Sequence, residues 1–232
     1  MKGCKPRATP MENRLKLSKN NTDPPVDATK CRSLVGSLRY LVNTRPDLAF
    51  AVGKVSRYMD SPTTQHVTAL KHILRYVAGT IGFGCCYKED GDQTLIGYSD
   101  HLGVTGIAFF LGKGLITWAS QKQKIVAQSS CEAEYIAEAY AASEGVWLSG
   151  LLADLKKEGP VVAKLKVDNK SAIALSKNQF SMTEAKEGRI IIEYVPTEKQ
   201  LADILTKSLG RLKFVEMREK IGVLEVNPEN VL

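Results

Sequence analysis

The sequence predicts an α/β fold with a mixed sheet, preceded by a small helical segment. Three observations carry this reading. Short apolar runs separated by glycine or charged turns begin near residue 82 and have the character of strands. A long stretch of helical period follows Ser129 and Ser130, and strand-like and helix-like segments alternate after it. Before residue 82 the apolar spacing is helical, once a polar start rich in proline has passed.

Residues 1–29 carry Pro6, Pro10, Pro24 and Pro25 and read as an extended, mobile lead-in. Residues 30–81 read as three short helices. The first places Leu34, Leu38 and Leu41 on one face. The second starts near Pro46, where Asp47 suits the helix dipole, and turns Phe50 and Val55 inward. The third runs from Ser61-Pro62-Thr63 to Gly79, with Val67, Leu70, Leu74 and Val77 as its buried stripe. Lys71 and Arg75 share its other face, and Tyr58 and Tyr76 add aromatic surface.

Residues 82–225 form the α/β part, and 226–232 a tail. Strands are expected in Gly82–Lys88, Thr94–Ser99, Gly106–Leu111 and Leu115–Ala119. Ser129 or Ser130 caps a long helix whose buried side is Ala133, Ile136, Ala137, Tyr140, Trp147, Leu148, Leu151 and Leu155, and Gly159-Pro160 ends it. A strand at Val161–Val167, a helix from Ser171 to about Lys177, a strand at Arg189–Val195 and a last helix from Thr197 complete the order.

Composition is that of an ordinary globular protein, 44% hydrophobic and 25% charged. No apolar run is long enough to span a membrane, and the start lacks the apolar stretch of a secretory signal, so an intracellular location, cytoplasmic or nuclear, is the expectation. Five cysteines without a C-x-x-C pair support neither zinc nor a disulfide framework. The net charge of +7 is unevenly placed: residues 1–90 hold 15 Lys and Arg against 7 Asp and Glu, and the rest 17 against 18. The basic part suits a phosphate backbone. It also suits a soluble basic domain with no polyanion partner.

The acids carry the chemistry. Asp100 ends a strand-like run and has a second reading as a turn residue. Glu132 and Glu134 lie about 200° apart on the long helix, so only one faces the sheet. Asp168 ends a strand and opens a helix, where it also fits an N-cap. Asp203 lies in a first helical turn, favoured there by the dipole alone. Four acids meeting at one site need cations to neutralise them, and magnesium held by carboxylates and substrate phosphates is the usual solution. That pattern points to metal-dependent cleavage of nucleic acid. Lys122, Lys124, Ser129, Ser130 and Asn169 lie near these acids in sequence and are candidates for backbone contacts, as are Lys71 and Arg75.

The ordered series of local motifs resembles the C-terminal part of copia-type LTR-retrotransposon polyproteins. It comprises Cys4-Lys5-Pro6 with Thr9–Glu12, Tyr40–Phe50, Leu74-Arg75-Tyr76, Ser129–Tyr135, Val167–Ala172 and Glu193–Thr197 running into Leu201–Lys207. The resemblance covers nearly the whole chain. It implies the end of a reverse transcriptase followed by a ribonuclease H-like domain with a mixed five-stranded sheet and flanking helices. Residues 30–81 would be the thumb and connection remnant. It implies Asp100, Glu134, Asp168 and Asp203 as ligands of two magnesium or manganese ions and selects Glu134 over Glu132. An RNA–DNA hybrid is the implied substrate, and the rest of a retroelement polymerase in a parent polyprotein the implied partner. The Tyr-x-Asp-Asp element of the polymerase site is absent, so no DNA synthesis is expected of this chain.

Two stretches are shorter than the family pattern. Asp100 reaches Gly106 almost directly, which puts Asp100 at the tip of a tight hairpin, and the basic, histidine-rich stretch expected between Asn178 and Arg189 is missing. The alternative to an active nuclease is therefore a non-catalytic retroelement remnant that keeps the fold and binds nucleic acid through residues 30–90.

Overall fold

The computed structural model describes residues 3–87, 91–157, 159–176 and 188–226. The expected shortening between Asn178 and Arg189 falls almost wholly outside them. The chain forms two units. One comprises the residues up to Cys86 together with those from Lys207 on, and the other is Tyr87–Thr206.

The first unit is built on α1 (Ala28–Leu41), a 3-10 turn at Pro46–Leu48, α2 (Ala49–Ser56) and α3 (Thr64–Ala78). Thr63 and Gly79 bound α3 as expected, and Phe50 and Val55 are buried. The buried faces of the other two helices are rotated from expectation. On α1 they are Cys31, Val35 and Leu38, with Leu34 exposed, and on α3 His66, Ala69, Leu70, His72, Ile73 and Tyr76. Tyr76 is not surface: it is fully buried because its hydroxyl has a partner inside. That hydroxyl donates to Asp47 Oδ2 at 2.6 Å. Asp47 in turn accepts two hydrogen bonds from Arg45, at 2.9 and 2.8 Å, and Arg45 also donates to the Thr80 carbonyl. The helical start at Pro46 is as expected, and Arg45 and Asp47 around it form a buried forked ion pair.

The lead-in is extended but pinned. Lys54 donates to the Leu15 carbonyl, Tyr58 to that of Leu17 and Arg75 to that of Lys5, while His72 bonds that of Thr9. Side chains of α2, of α3 and of the turn between them thus supply the partners that an irregular backbone lacks.

The C-terminal residues complete this unit. Strand β1 (Phe83–Cys85) pairs antiparallel with β7 (Val223–Glu225) and not with the main sheet. Helix α7 (Arg211–Lys220) buries Phe214 and Met217, with Phe214 edge-on to Tyr76 and Arg218 over the Phe83 ring. This differs from the expected domain of residues 82–225. The apolar run at 82 finds its edge partner at 223, and the apolar side of α7 is buried at Tyr76.

The second unit is α/β with a mixed five-stranded sheet. Its strands are β2 (Leu95–His101), β3 (Thr105–Leu111), β4 (Gly114–Gln121), β5 (Ala163–Val167) and β6 (Ile190–Tyr194). The order is β4-β3-β2-β5-β6, antiparallel through β4-β3-β2 and parallel through β2-β5-β6. Among the described residues its α-helices are α4 (Ser130–Lys156), α5 (Lys170–Ser176) and the single turn α6 (Asp203–Thr206). The expected last helix from Thr197 is broken, because Gln200 leaves the helical region and donates to the Ser99 carbonyl at 2.9 Å.

Helix α4 packs through its small side: Ala133, Ala137, Ala141, Ala142, Gly145 and Leu148 are buried. Tyr140, Trp147, Leu151 and Leu155, expected inside, are exposed. Phe109 decides this. It is fully buried opposite Gly97, where a Cβ would lie 2.4 Å from its ring, and a Cβ at Gly145 would lie 3.1 Å from it. Only a helix side of small residues can approach a sheet carrying that ring.

Asp47→Ala would strand the buried Arg45 guanidinium. It is expected to destabilise the first unit by about 3–5 kcal/mol, read as a lowered midpoint in a urea unfolding curve.

Candidate metal centre

Strand ends and helix starts deliver the acids to one place. Asp100 is the penultimate residue of β2, paired opposite Gly106. Asp168 directly follows β5, the parallel neighbour of β2. Glu134 lies in the second turn of α4, whose start is fixed by reciprocal capping: Ser129 accepts from the Glu132 N–H, and the Glu132 carboxylate accepts from the Gln128 N–H. One carboxylate oxygen from each of Asp100, Glu134 and Asp168 lies within 4.8 Å of the other two. Asp203 does not belong to that group, although it is buried on α6.

The shortened hairpin still aims Asp100 at the group. Gly103 turns the chain at φ +68°, and His101 braces the turn by accepting from the Gly103 N–H and bonding the Thr105 hydroxyl. Burial holds the His101 ring below the ordinary histidine range, with Asp100 acting against that. Its role is to tie the hairpin.

A row of three paired residues, Asp100 on β2, Gly106 on β3 and Ser120 on β4, receives the turn Ala202–Thr206. The Thr206 hydroxyl donates to the Asp100 carboxylate, and that of Ser120 to the Leu205 carbonyl at 2.6 Å. A Cβ at Gly106 would lie 2.5 Å from the Thr206 methyl and 3.1 Å from the Ala202 carbonyl, so glycine is needed there for the turn to seat. Local pattern gave Gly106, Ser120 and Thr206 no role at the site, although Thr206 lies in the motif Leu201–Lys207, because the contacts of Gly106 with Thr206, Ser120 with Leu205 and Thr206 with Asp100 join distant parts of the chain.

The helix-capping role considered for Asp168 belongs to Asn169, whose Oδ1 accepts from the Ser171 and Ala172 N–H groups. Asn169 and Ser129, candidates for phosphate contacts, are thus both helix caps. Lys122, Lys124 and Ser130 are exposed. In the first unit Lys71 is exposed, whereas Arg75 grips the lead-in.

Three carboxylates this close repel by about 3 kcal/mol per pair at an effective dielectric of 20. An all-oxygen donor set of this kind matches magnesium or manganese and is a poor set for softer metals.

Comparison with known proteins identifies the chain's relatives. The retrovirus-related Pol polyprotein from transposon RE2 of Arabidopsis thaliana is 38% identical over 248 residues, covering 97% of this chain. That from transposon TNT 1-94 of Nicotiana tabacum is 38% identical over 258 residues and covers 96%. The chain belongs to the copia-type retrotransposon Pol polyproteins. It spans only 17% and 19% of the length of these two relatives. Both matched stretches exceed this chain's 232 residues. The secreted RxLR effector protein 161 of Plasmopara viticola is 42% identical over 127 residues, half of this chain and 89% of that protein. No family model matches this Pol-type chain. No helix among its described residues is long and apolar enough to cross a membrane.

Glu138, one turn beyond Glu134, is fully buried, and burial pushes its carboxyl up to about 7, with the polar Ser176 acting the other way. The folded state therefore holds this proton more tightly than the unfolded chain. Its contribution to stability is whole below about pH 4.5, declines as pH rises, and is gone above about 7. Glu138→Gln is expected to match the parent near pH 5 and to exceed it by about 3 kcal/mol at pH 8.5, in urea unfolding curves at the two pH values.

Proposed function

We propose that the sheet unit is a ribonuclease H-like domain that hydrolyses the RNA strand of RNA–DNA hybrids. The observation that carries this reading is the convergence of Asp100, Glu134 and Asp168 at the ends of β2 and β5 and the start of α4. Membership of the Pol family and the mixed sheet agree with it. These three acids would hold magnesium or manganese, with Asp203 as the fourth acid and two ions as the full complement. A metal bound there supplies Lewis acidity, activating the attacking water and stabilising the leaving 3′ oxygen.

The chain's own residues hold and orient. Asp100 is fixed in the last pairs of the β2–β3 ladder beside the hairpin turn, Asp168 is released from capping by Asn169, and the capped start of α4 sets Glu134. Lys122, Lys124 and Ser130 are free to meet the phosphate backbone, with groove shape and 2′-hydroxyls providing recognition in place of base sequence. In the first unit Lys71 and the basic excess of residues 1–90 would add salt-sensitive backbone affinity. The remainder of a retroelement polymerase is the partner this reading implies.

Magnesium-dependent cleavage of a labelled RNA–DNA hybrid tests the reading. The parent is expected to cleave, and Asp168→Asn to lose at least ~10²-fold of the rate while keeping hybrid affinity. A folded parent that binds the hybrid but never cleaves it, beside an active control nuclease, would establish the non-catalytic remnant instead.

A further inference from the structure

We infer that Thr206 is a positioning residue for the metal centre: its hydroxyl sets the orientation of the Asp100 carboxylate, and its methyl seats the turn that carries Asp203. The inference rests on the reading of Asp100, Glu134 and Asp168 as metal ligands.

Four facts about the turn carry it. Thr206 is almost fully buried, and its hydroxyl donates to Asp100 Oδ2 across 106 residues of chain. The terminal torsion of an aspartate is broad, so packing alone does not fix which way its oxygens face. A hydrogen bond from a hydroxyl to a carboxylate does fix it, and it offsets part of the repulsion from Glu134 and Asp168. Threonine is also stiff at χ1, so both branches are placed together: with the hydroxyl on Asp100, the methyl lies over Gly106, the residue paired opposite Asp100.

The rest of the turn is tied to the same strand ends. Gln200 donates to the Ser99 carbonyl and accepts from the Ala202 N–H, and Ser120 donates to the Leu205 carbonyl. These bonds bring the threonine to the sheet without using the Asp100 carboxylate. Of the turn's bonds named here, that of the Thr206 hydroxyl is the one that reaches the Asp100 carboxylate. Groups that orient metal ligands in this way typically change metal affinity by about ten- to a hundred-fold when removed.

The test compares the parent with Thr206→Ser, Thr206→Val and Thr206→Ala in the full chain. Manganese binding is measured by titration calorimetry, and stability by thermal melting. Affinity is expected to follow the hydroxyl: parent and Thr206→Ser bind alike, while Thr206→Val and Thr206→Ala bind about ten- to a hundred-fold more weakly. Stability is expected to follow the methyl instead, so Thr206→Val melts closer to the parent than Thr206→Ala does. If Thr206→Val fails to fold, the serine and alanine pair still isolates the hydroxyl. Equal manganese affinity in all folded variants, or affinity that tracks melting temperature, overturns the inference and leaves the proposed function standing. A folded parent that binds no manganese overturns the metal-centre reading itself, and the role of Thr206 with it.

Discussion

How closely α4 can approach the sheet governs the second unit. Phe109 fills the space between them, with Gly97 beside it in the sheet and Gly145 against it on the helix. A side chain larger than hydrogen at either glycine meets the ring. The helix must therefore lie with its alanine and glycine side inward, and that choice of face sets where the residues of its second turn point. Glu134 reaches the ends of β2 and β5 because Ala133, Ala137 and Ala141 lie against the sheet. The distance between two layers thus decides the position of a carboxylate three turns from the contact that sets it.

Three acids held this close would push a loose scaffold apart. The surrounding bonds resist that from three sides: His101 braces the hairpin, Asn169 takes over the cap of α5, and the seated turn bonds Asp100 from beyond β3. None of these groups is itself acidic. In the first unit the same logic appears with opposite charges. Arg45 and Asp47 are buried together, and Tyr76 and Thr80 satisfy the hydrogen bonds that the pair leaves open.

Much of this was readable from the chain. Thr63 and Gly79 bracket α3, Ser129 caps α4, and the strand-end placing of Asp100 and Asp168 follows from local pattern. The inward sides of helices were less so. Period tells which residues share a face but not which face is buried, and on α4 the large residues Trp147 and Leu155 lost to glycine and alanine because the sheet already carried a large ring. The lead-in looked mobile because its carbonyl partners, Lys54, Tyr58, His72 and Arg75, lie 39 to 70 residues further on. Asp203 shows the same limit. Its helix position was visible, but Gln200 breaks the helix before it by bonding Ser99, about a hundred residues upstream.

The return of β7 to β1 makes the sheet unit an insertion within the helical one. Synthesis runs from the N-terminus, so Tyr87–Thr206 is made before the residues that close the first unit. Its host meanwhile keeps Tyr76 and the edge of β1 open until α7 and β7 emerge. A nascent chain of this kind carries a waiting apolar surface and an open strand edge for the whole time its insert is being made.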